Sequence, residues 1–300
     1  IYYNYKENRT NKIMNINEFK LDIPIGSYSN SHFISILRPW INVGNVGHNV
    51  ISRLVDIFEL EEIGELNRPS KYYDMTRYRP EILYENGERI IRIPNTKIFG
   101  KKNPQGNSEI NMFLIYMLEP HNNSEDYNDA MIDLIQKLDG KRFISVGGMF
   151  DSVPHTRPLP VTGTYKGWIP PKPLDEILKF NSKYEGPTSI TNQLGNLLNN
   201  AISIELLSLM VHIPLYIKLN DDYMATSRLL EFLSRIYDFP TNFPEKQKGI
   251  NQYQKLNKDL SNNNSILDII KKFENEQNIS KQDLDLSPEI EDFLKGLEEN

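Results

Sequence analysis

Apolar positions recur along the chain with two periods, and the switches between them mark out the elements. Phe33 to Leu37 is a short apolar run that breaks at Arg38, Pro39 and Trp40. A helical spacing through Val50, Leu54, Ile57 and Phe58 then opens after Gly44 and Gly47, so strand, tight turn and helix are predicted in succession. The runs Glu81 to Tyr84 and Ile90 to Ile93 flank Asn86-Gly87, a strong hairpin signal. Met112 to Met117 is continuously apolar, as expected of a strand buried on both faces. Ser124 is predicted to cap a helix through Ala130, Ile132, Leu134 and Leu138, Gly140 to end it, and Arg142 to Val146 to return as a strand. Strands alternating with helices imply βαβ units and a largely parallel sheet.

Beyond this comes a proline-stiffened loop, Asp151 to Gly163. Pro154, Pro158 and Pro160 fix their own φ and extend the residue before each, so neither helix nor central strand suits it. Gly147 and Gly148 place the loop just past a strand's C-terminal end. An irregular stretch from Trp168 to Pro187 leads to a helix from Ser189 with Ile190, Leu194, Leu197, Leu198 and Ala201 on its apolar face. Leu209 to Ile217 reads as the last strand, with Pro214 at a bulge or an edge. Asp221 and Asp222 introduce a helix through Ala225, Leu229, Leu230, Leu233 and Ile236.

From Phe243 the composition shifts. Asn and Lys dominate residues 247–264, and amphipathic patterns follow at Ile266 to Phe273 and at Ile290 to Leu297, the latter opened by Ser287, Pro288 and Glu289. The expected organisation is a flexible N-terminal segment (1–28), with translation starting at Met14, an α/β core (29–243) and a more mobile helical C-terminal extension (244–300).

Composition narrows the function. With 39% hydrophobic and 25% charged residues, the 300-residue chain reads as an ordinary globular protein. Its net charge of -6 argues against a general nucleic-acid binder, which needs a basic surface to displace counterions. The absence of cysteine excludes thiol nucleophiles, disulfides and thiolate metal sites. His32, His48, His121, His155 and His212 lack the spacing of helical metal sites, so neither metal nor cofactor is expected. No apolar run approaches the ~18 residues of a membrane span, and a cytoplasmic location is expected.

Three constellations could carry chemistry. Gly44 and Gly47, between a strand and a helix N-terminus, could hold an anion on backbone N–H groups, although the dinucleotide and P-loop glycine patterns are missing and close packing explains the glycines equally. Asp74 and Arg79 lie in a Tyr- and Arg-rich stretch that could grip a carboxylate or phosphate, or form a solvated turn. In the proline loop, His155, Thr156 and Arg157 offer a proton carrier, a hydroxyl and a fixed charge; the alternative is a brace pinned by its own hydrogen bonds, with Arg157 bridging to an acid such as Asp151. Without a G-x-S-x-G elbow, a hydrolytic triad has no support.

Taken in order, these segments resemble the proteasome assembly chaperone 2 family, in its prokaryotic branch with an added C-terminal helical region. Trp40 to Gly47 stands where the family has a Gly-Trp-x-Asp-Ala-Gly turn, with Pro39 and Asn42 departing from it. Tyr73, Asp74, Arg79 and Pro80 match its Tyr-Asp and Arg-Pro. Tyr184, Gly186 and Pro187 match its Tyr-x-Gly-Pro-Thr helix start, and Ser208 to Tyr216 its Ser-Leu-x-x-x-x-Pro-x-Tyr strand. The resemblance implies an α/β core, with a mostly parallel or mixed sheet flanked by helices, shaped like phosphorylases and peptidyl hydrolases. It also implies self-association, often as a trimer, and binding to proteasome α subunits rather than catalysis. Some members dock through a C-terminal tail of hydrophobic residue, tyrosine and any residue, a pattern that Leu297 to Asn300 does not carry. The competing reading is a small-molecule enzyme or sensor with a cleft near Asp74, Arg79, His155 and Arg157, acting on a phosphorylated or carboxylated ligand.

Overall fold

The computed structural model describes residues 14–24, 28–103, 109–171, 174 and 188–279. Its strands are β1 (Met14–Ile16), β2 (Phe19–Leu21), β3 (Ser31–Arg38), β4 (Glu61–Leu66), β5 (Glu81–Glu85), β6 (Glu88–Arg92), β7 (Lys97–Gly100), β8 (Asn111–Leu118), β9 (Gly140–Asp151), β10 (Val161–Lys166) and β11 (Glu205–Pro214). Nine of them form one mixed sheet in the order β1-β2-β4-β7-β8-β3-β9-β11-β10. Only β8, β3, β9 and β11 run parallel to one another, and the outer strands are antiparallel to their neighbours. The parallel part therefore ends together at Arg38, Leu118, Asp151 and Pro214, the edge where α/β sheets gather ligands. The predicted hairpin forms, but β5 and β6 pair only with each other, as a separate two-stranded sheet.

The helices are α1 (Val46–Phe58), α2 (Ser124–Lys137), α3 (Ile190–Ile202), α4 (Tyr223–Tyr237), α5 (Pro244–Leu260) and α6 (Asn264–Ile279). Period-two alternation divides each central strand between two cores. Ile34 and Ile36 of β3, with Leu114 of β8, lie with α1 and α4, whereas Phe33, Leu37, Phe113 and Ile115 lie with α2 and α3 on the other face. Each such side chain removed from water stabilises the fold by roughly 1.5–3 kcal/mol, which is why both faces are covered.

Several expectations are corrected. Ser124 is the first helical residue of α2, preceded by Asn123 in the left-handed region, and Asp139 rather than Gly140 makes the reversal after it; short polar Asn and Asp tolerate that conformation. Gly147 and Gly148 lie inside β9, which runs on to Asp151. Val161 to Gly163, at the end of the proline loop, open β10 at the sheet's outer edge. Pro214 sits at neither a bulge nor an edge: β11 starts at Glu205, lies between β9 and β10, and keeps one register to its last pair, Pro214 with Asp151. On α3, Leu197 and Ala201 are exposed while Thr191 is buried. Residues 14–24 fall in the segment expected to be flexible, yet they form the β1–β2 hairpin with Phe19, Leu21 and Ile23 buried; three-residue strands are too short to show a period.

The Asn- and Lys-rich stretch forms most of α5, whose lysines face outward. Its inner face docks on the body: Glu245 takes a two-pronged ion pair from Arg53, with Nη2 at 2.8 Å and Nε at 3.0 Å. Gly249 lies so close to α4 that an added Cβ would come within 2.6 Å of the Met224 backbone nitrogen. The helix signals at Ser287 and Ile290 to Leu297, and most of Trp168 to Pro187, lie outside the described residues.

Candidate functional site

The proline loop is built as a clamp. Asp151 carbonyl accepts from Val153 and Leu215 backbone N–H, Pro160 carbonyl from His212 N–H, and Leu159 carbonyl from Arg228 Nε. His155, 5% exposed, sits beneath the C-terminal helices. Its backbone N–H donates to the Tyr216 hydroxyl at 2.9 Å, which leaves that hydroxyl its own proton to give His155 Nδ1 at 2.8 Å. The ring meets Tyr216 edge-on and lies 6.1 Å from Tyr253 of α5. Burial lowers the His155 pKa, with Asn257 and Glu274 partly opposing it, and pushes the Tyr216 hydroxyl up to about 12. Nε2 is buried and makes no hydrogen bond of regular geometry among the described residues. Thr156 donates to Glu274 of α6, and Phe273 stacks on Tyr216. A histidine held neutral under two helices is poorly placed to meet a substrate.

Beneath the loop runs a chain that sequence reasoning missed. Asp151 Oδ2 accepts from His212 Nδ1 at 2.6 Å, and His212 Nε2 faces Thr162 Oγ1 at 2.8 Å. The order acid, imidazole, hydroxyl is that of a nucleophilic triad. Its hydroxyl, however, is walled in: Thr162 is 1% exposed on β10, and His212 2% on β11. What this chain does is fasten the ends of β9 and β11 to the start of β10. Because the three residues are 50 and 61 positions apart, only the strand order could have linked them.

The other candidates fall elsewhere. Asp74 closes a turn on itself, accepting at Oδ1 from both the N–H and the hydroxyl of Thr76, bonds that hold its carboxyl below the usual range. Gly44 adopts φ +57 and its carbonyl accepts from the Asp222 N–H, with no room for a Cβ against Asp222. The N–H groups of Gly47 and His48, where an anion was expected, are taken by the Asn42 side chain at 2.9 and 3.3 Å, so this turn is self-capped. Gly148 N–H donates to Ile41 carbonyl, seating the turn on β9. Arg79 alone borders an open cleft, of about 410 Å³, together with Arg38, Asn95, Phe99 and Tyr116. None of that cleft's walls comes from the loop, so the structure does not bring Arg79 together with His155, Thr156 and Arg157. Arg157 is partly buried.

The family sequence profile described as "PAC2 family" matches residues 36–246, from the end of β3 to the first turn of α5. The chain belongs to the PAC2 family. No curated protein matches it. Among solved structures, a PAC2 family protein from Streptomyces avermitilis MA is similar over 80% of this chain and 99% of its own, with 21% identity and a TM-score of 0.67. A proteasome-assembly chaperone homologue from Mycobacterium tuberculosis aligns with 20% identity and a TM-score of 0.67 over 80% of this chain and 98% of its own. A protein of unknown function from Corynebacterium glutamicum ATCC 13032 reaches a TM-score of 0.74 at 19% identity, over 89% of this chain and all of its own. At these identities the likeness is one of fold.

The PAC2-like motifs hold the body together as much as they line it. Tyr73 is fully buried, its hydroxyl linked through Thr96 to that of Tyr127 at 2.7 and 2.8 Å. Tyr216 clamps His155, and the turn from Trp40 to Gly47 is locked to Asp222 and β9. Tyr184, Gly186 and Pro187 lie outside the described residues.

Proposed function

We propose that this PAC2 chain is a non-enzymatic, homo-oligomeric binding protein of the proteasome-assembly-chaperone type that assists assembly of the proteasome α-ring. The observation carrying this reading is the β5–β6 hairpin. Ile82 and Ile91 stand opposite each other, with Tyr84 and Ile93 continuing the same alternation, and these four are 49–74% exposed. No residue from 81 to 93 belongs to either core. A two-stranded hairpin is marginal alone, and a bare apolar face of this kind marks an interaction site, for which a second copy of the chain is the proposed occupant. The solved relative described as a proteasome-assembly chaperone homologue supports the choice of client.

Two measurements test this. Light scattering on the full-length protein is expected to show an oligomer that dissociates in Ile82→Lys/Ile91→Lys; a monomer at micromolar concentration removes the self-association. Tagged protein from its own host is expected to retain proteasome α subunits, and its deletion to slow α-ring assembly. Absence of both effects removes the chaperone role.

A further inference from the structure

Arg38 ends β3, on the edge where the parallel strands stop. Its guanidinium lies 3.6 Å over the Tyr116 ring and donates through Nη2 to the Asn95 carbonyl at 3.3 Å. Among the described residues no carboxylate pairs with it: Glu62, across the cleft, is held by Lys97 at 2.6 Å, and Glu65 by Lys20 at 2.7 Å. Among the described residues, Arg38 Nε and the buried Asn95 Oδ1 find no hydrogen-bond partner. A desolvated arginine without an acid is unfavourable unless something else supplies the anion, and burial lowers its pKa accordingly. Arg79, exposed and without an ion pair or hydrogen bond among the described residues, borders the same cleft, while Ile93, Pro94 and Phe99 supply apolar wall. A volume of about 410 Å³ is ample for more than a bare ion.

We propose that this cleft binds a small molecule carrying one compact oxyanion, a phosphate or carboxylate group, on an apolar or aromatic body, with Arg38 and Arg79 holding the head and Phe99 and Pro94 the body. Arginine suits both heads because its planar fork matches either oxyanion. The site omits His155 and Arg157 and stands independently of the chaperone role. Its test is calorimetry on the full-length protein with phenyl phosphate and benzoate, against inorganic phosphate and acetate at fixed ionic strength. At least one aryl anion is expected to saturate at one per chain, roughly tenfold tighter than its simple counterpart, and which one does so distinguishes phosphate from carboxylate. Arg79→Ala is expected to weaken it at least about fivefold at unchanged melting temperature, as loss of a charged hydrogen bond requires. Arg38→Lys, which keeps the charge and loses the fork, is expected to weaken it as well. No saturation, no preference over the simple ion, or a loss below about fivefold in Arg79→Ala overturns the proposal. None of these outcomes touches α-subunit capture, so the two readings fail separately.

Discussion

The proline loop and the β5–β6 hairpin are both excursions from the sheet, and they differ in what lies over them. The loop carries the richer set of chemical groups, yet α5 and α6 close on it: His155 is 5% exposed, with Tyr216 and Tyr253 against its ring and Phe273 stacked on Tyr216. The hairpin carries aliphatic residues and a tyrosine, and Ile91 is 65% exposed with Tyr84 at 74%. Rigidity and availability are separate properties. The prolines and the Tyr216 clamp make the loop rigid so that it can brace the ends of β9 and β11, while the hairpin is the apolar surface the body leaves uncovered.

The strongest way to break this contrast is to release the C-terminal helices. Asp222 caps α4 through Ala225 N–H at 2.9 Å and accepts from the Tyr253 hydroxyl at 2.8 Å. Asp222→Ala removes a cap and orphans a buried hydroxyl, an expected loss of about 2–4 kcal/mol in urea unfolding; a loss under ~1 kcal/mol would show that the junction is not structural. Gly249→Ala forces α5 off α4 and is expected to cost about 1–3 kcal/mol, with protease sensitivity appearing at the loop.

A smaller effect comes from acid. Burial holds His155 below its ordinary value of 6.5, so the unfolded chain takes up this proton before the folded one. The stability linked to a neutral His155 is therefore complete above pH 6.5 and lost as pH falls through the window below it. His155→Gln is expected to flatten that part of the stability profile; an unaltered slope would contradict it. On the bare side, Ile91→Lys is expected to change monomer stability by less than about 0.5 kcal/mol, because Ile91 belongs to neither core among the described residues.

How far the sequence disclosed this depends on range. β3, β8, α1 and α4 carry complete periods and were read nearly to their ends. The β5–β6 hairpin was read from Asn86-Gly87, but its apolar residues gave no sign of lacking a cover, since burial depends on the rest of the fold. Glycines misled for the same reason: Gly147 and Gly148 look like a strand's end and are its middle, there because the turn at Ile41 must come close. Within the candidate site, His155 and Thr156 stand out in the sequence as polar groups on a proline-stiffened loop. Their covering residues lie far off in the chain, Tyr253 in a stretch whose Asn and Lys content hides its inner face and Glu274 beyond it. Asp151, His212 and Thr162 converge only through strand order, and what sets Arg38 apart is the lack of a paired acid among the described residues, which no motif can display.

Amide hydrogen exchange on the intact protein tests the contrast most directly. The amides of Val153, His155, His212 and Leu215, each bonded within the clamp, are expected to exchange as slowly as β9, and those of residues 81–93 at least about a hundredfold faster, consistent with local opening at only a small part of the global unfolding free energy. A loop that exchanges as fast as the hairpin would contradict it.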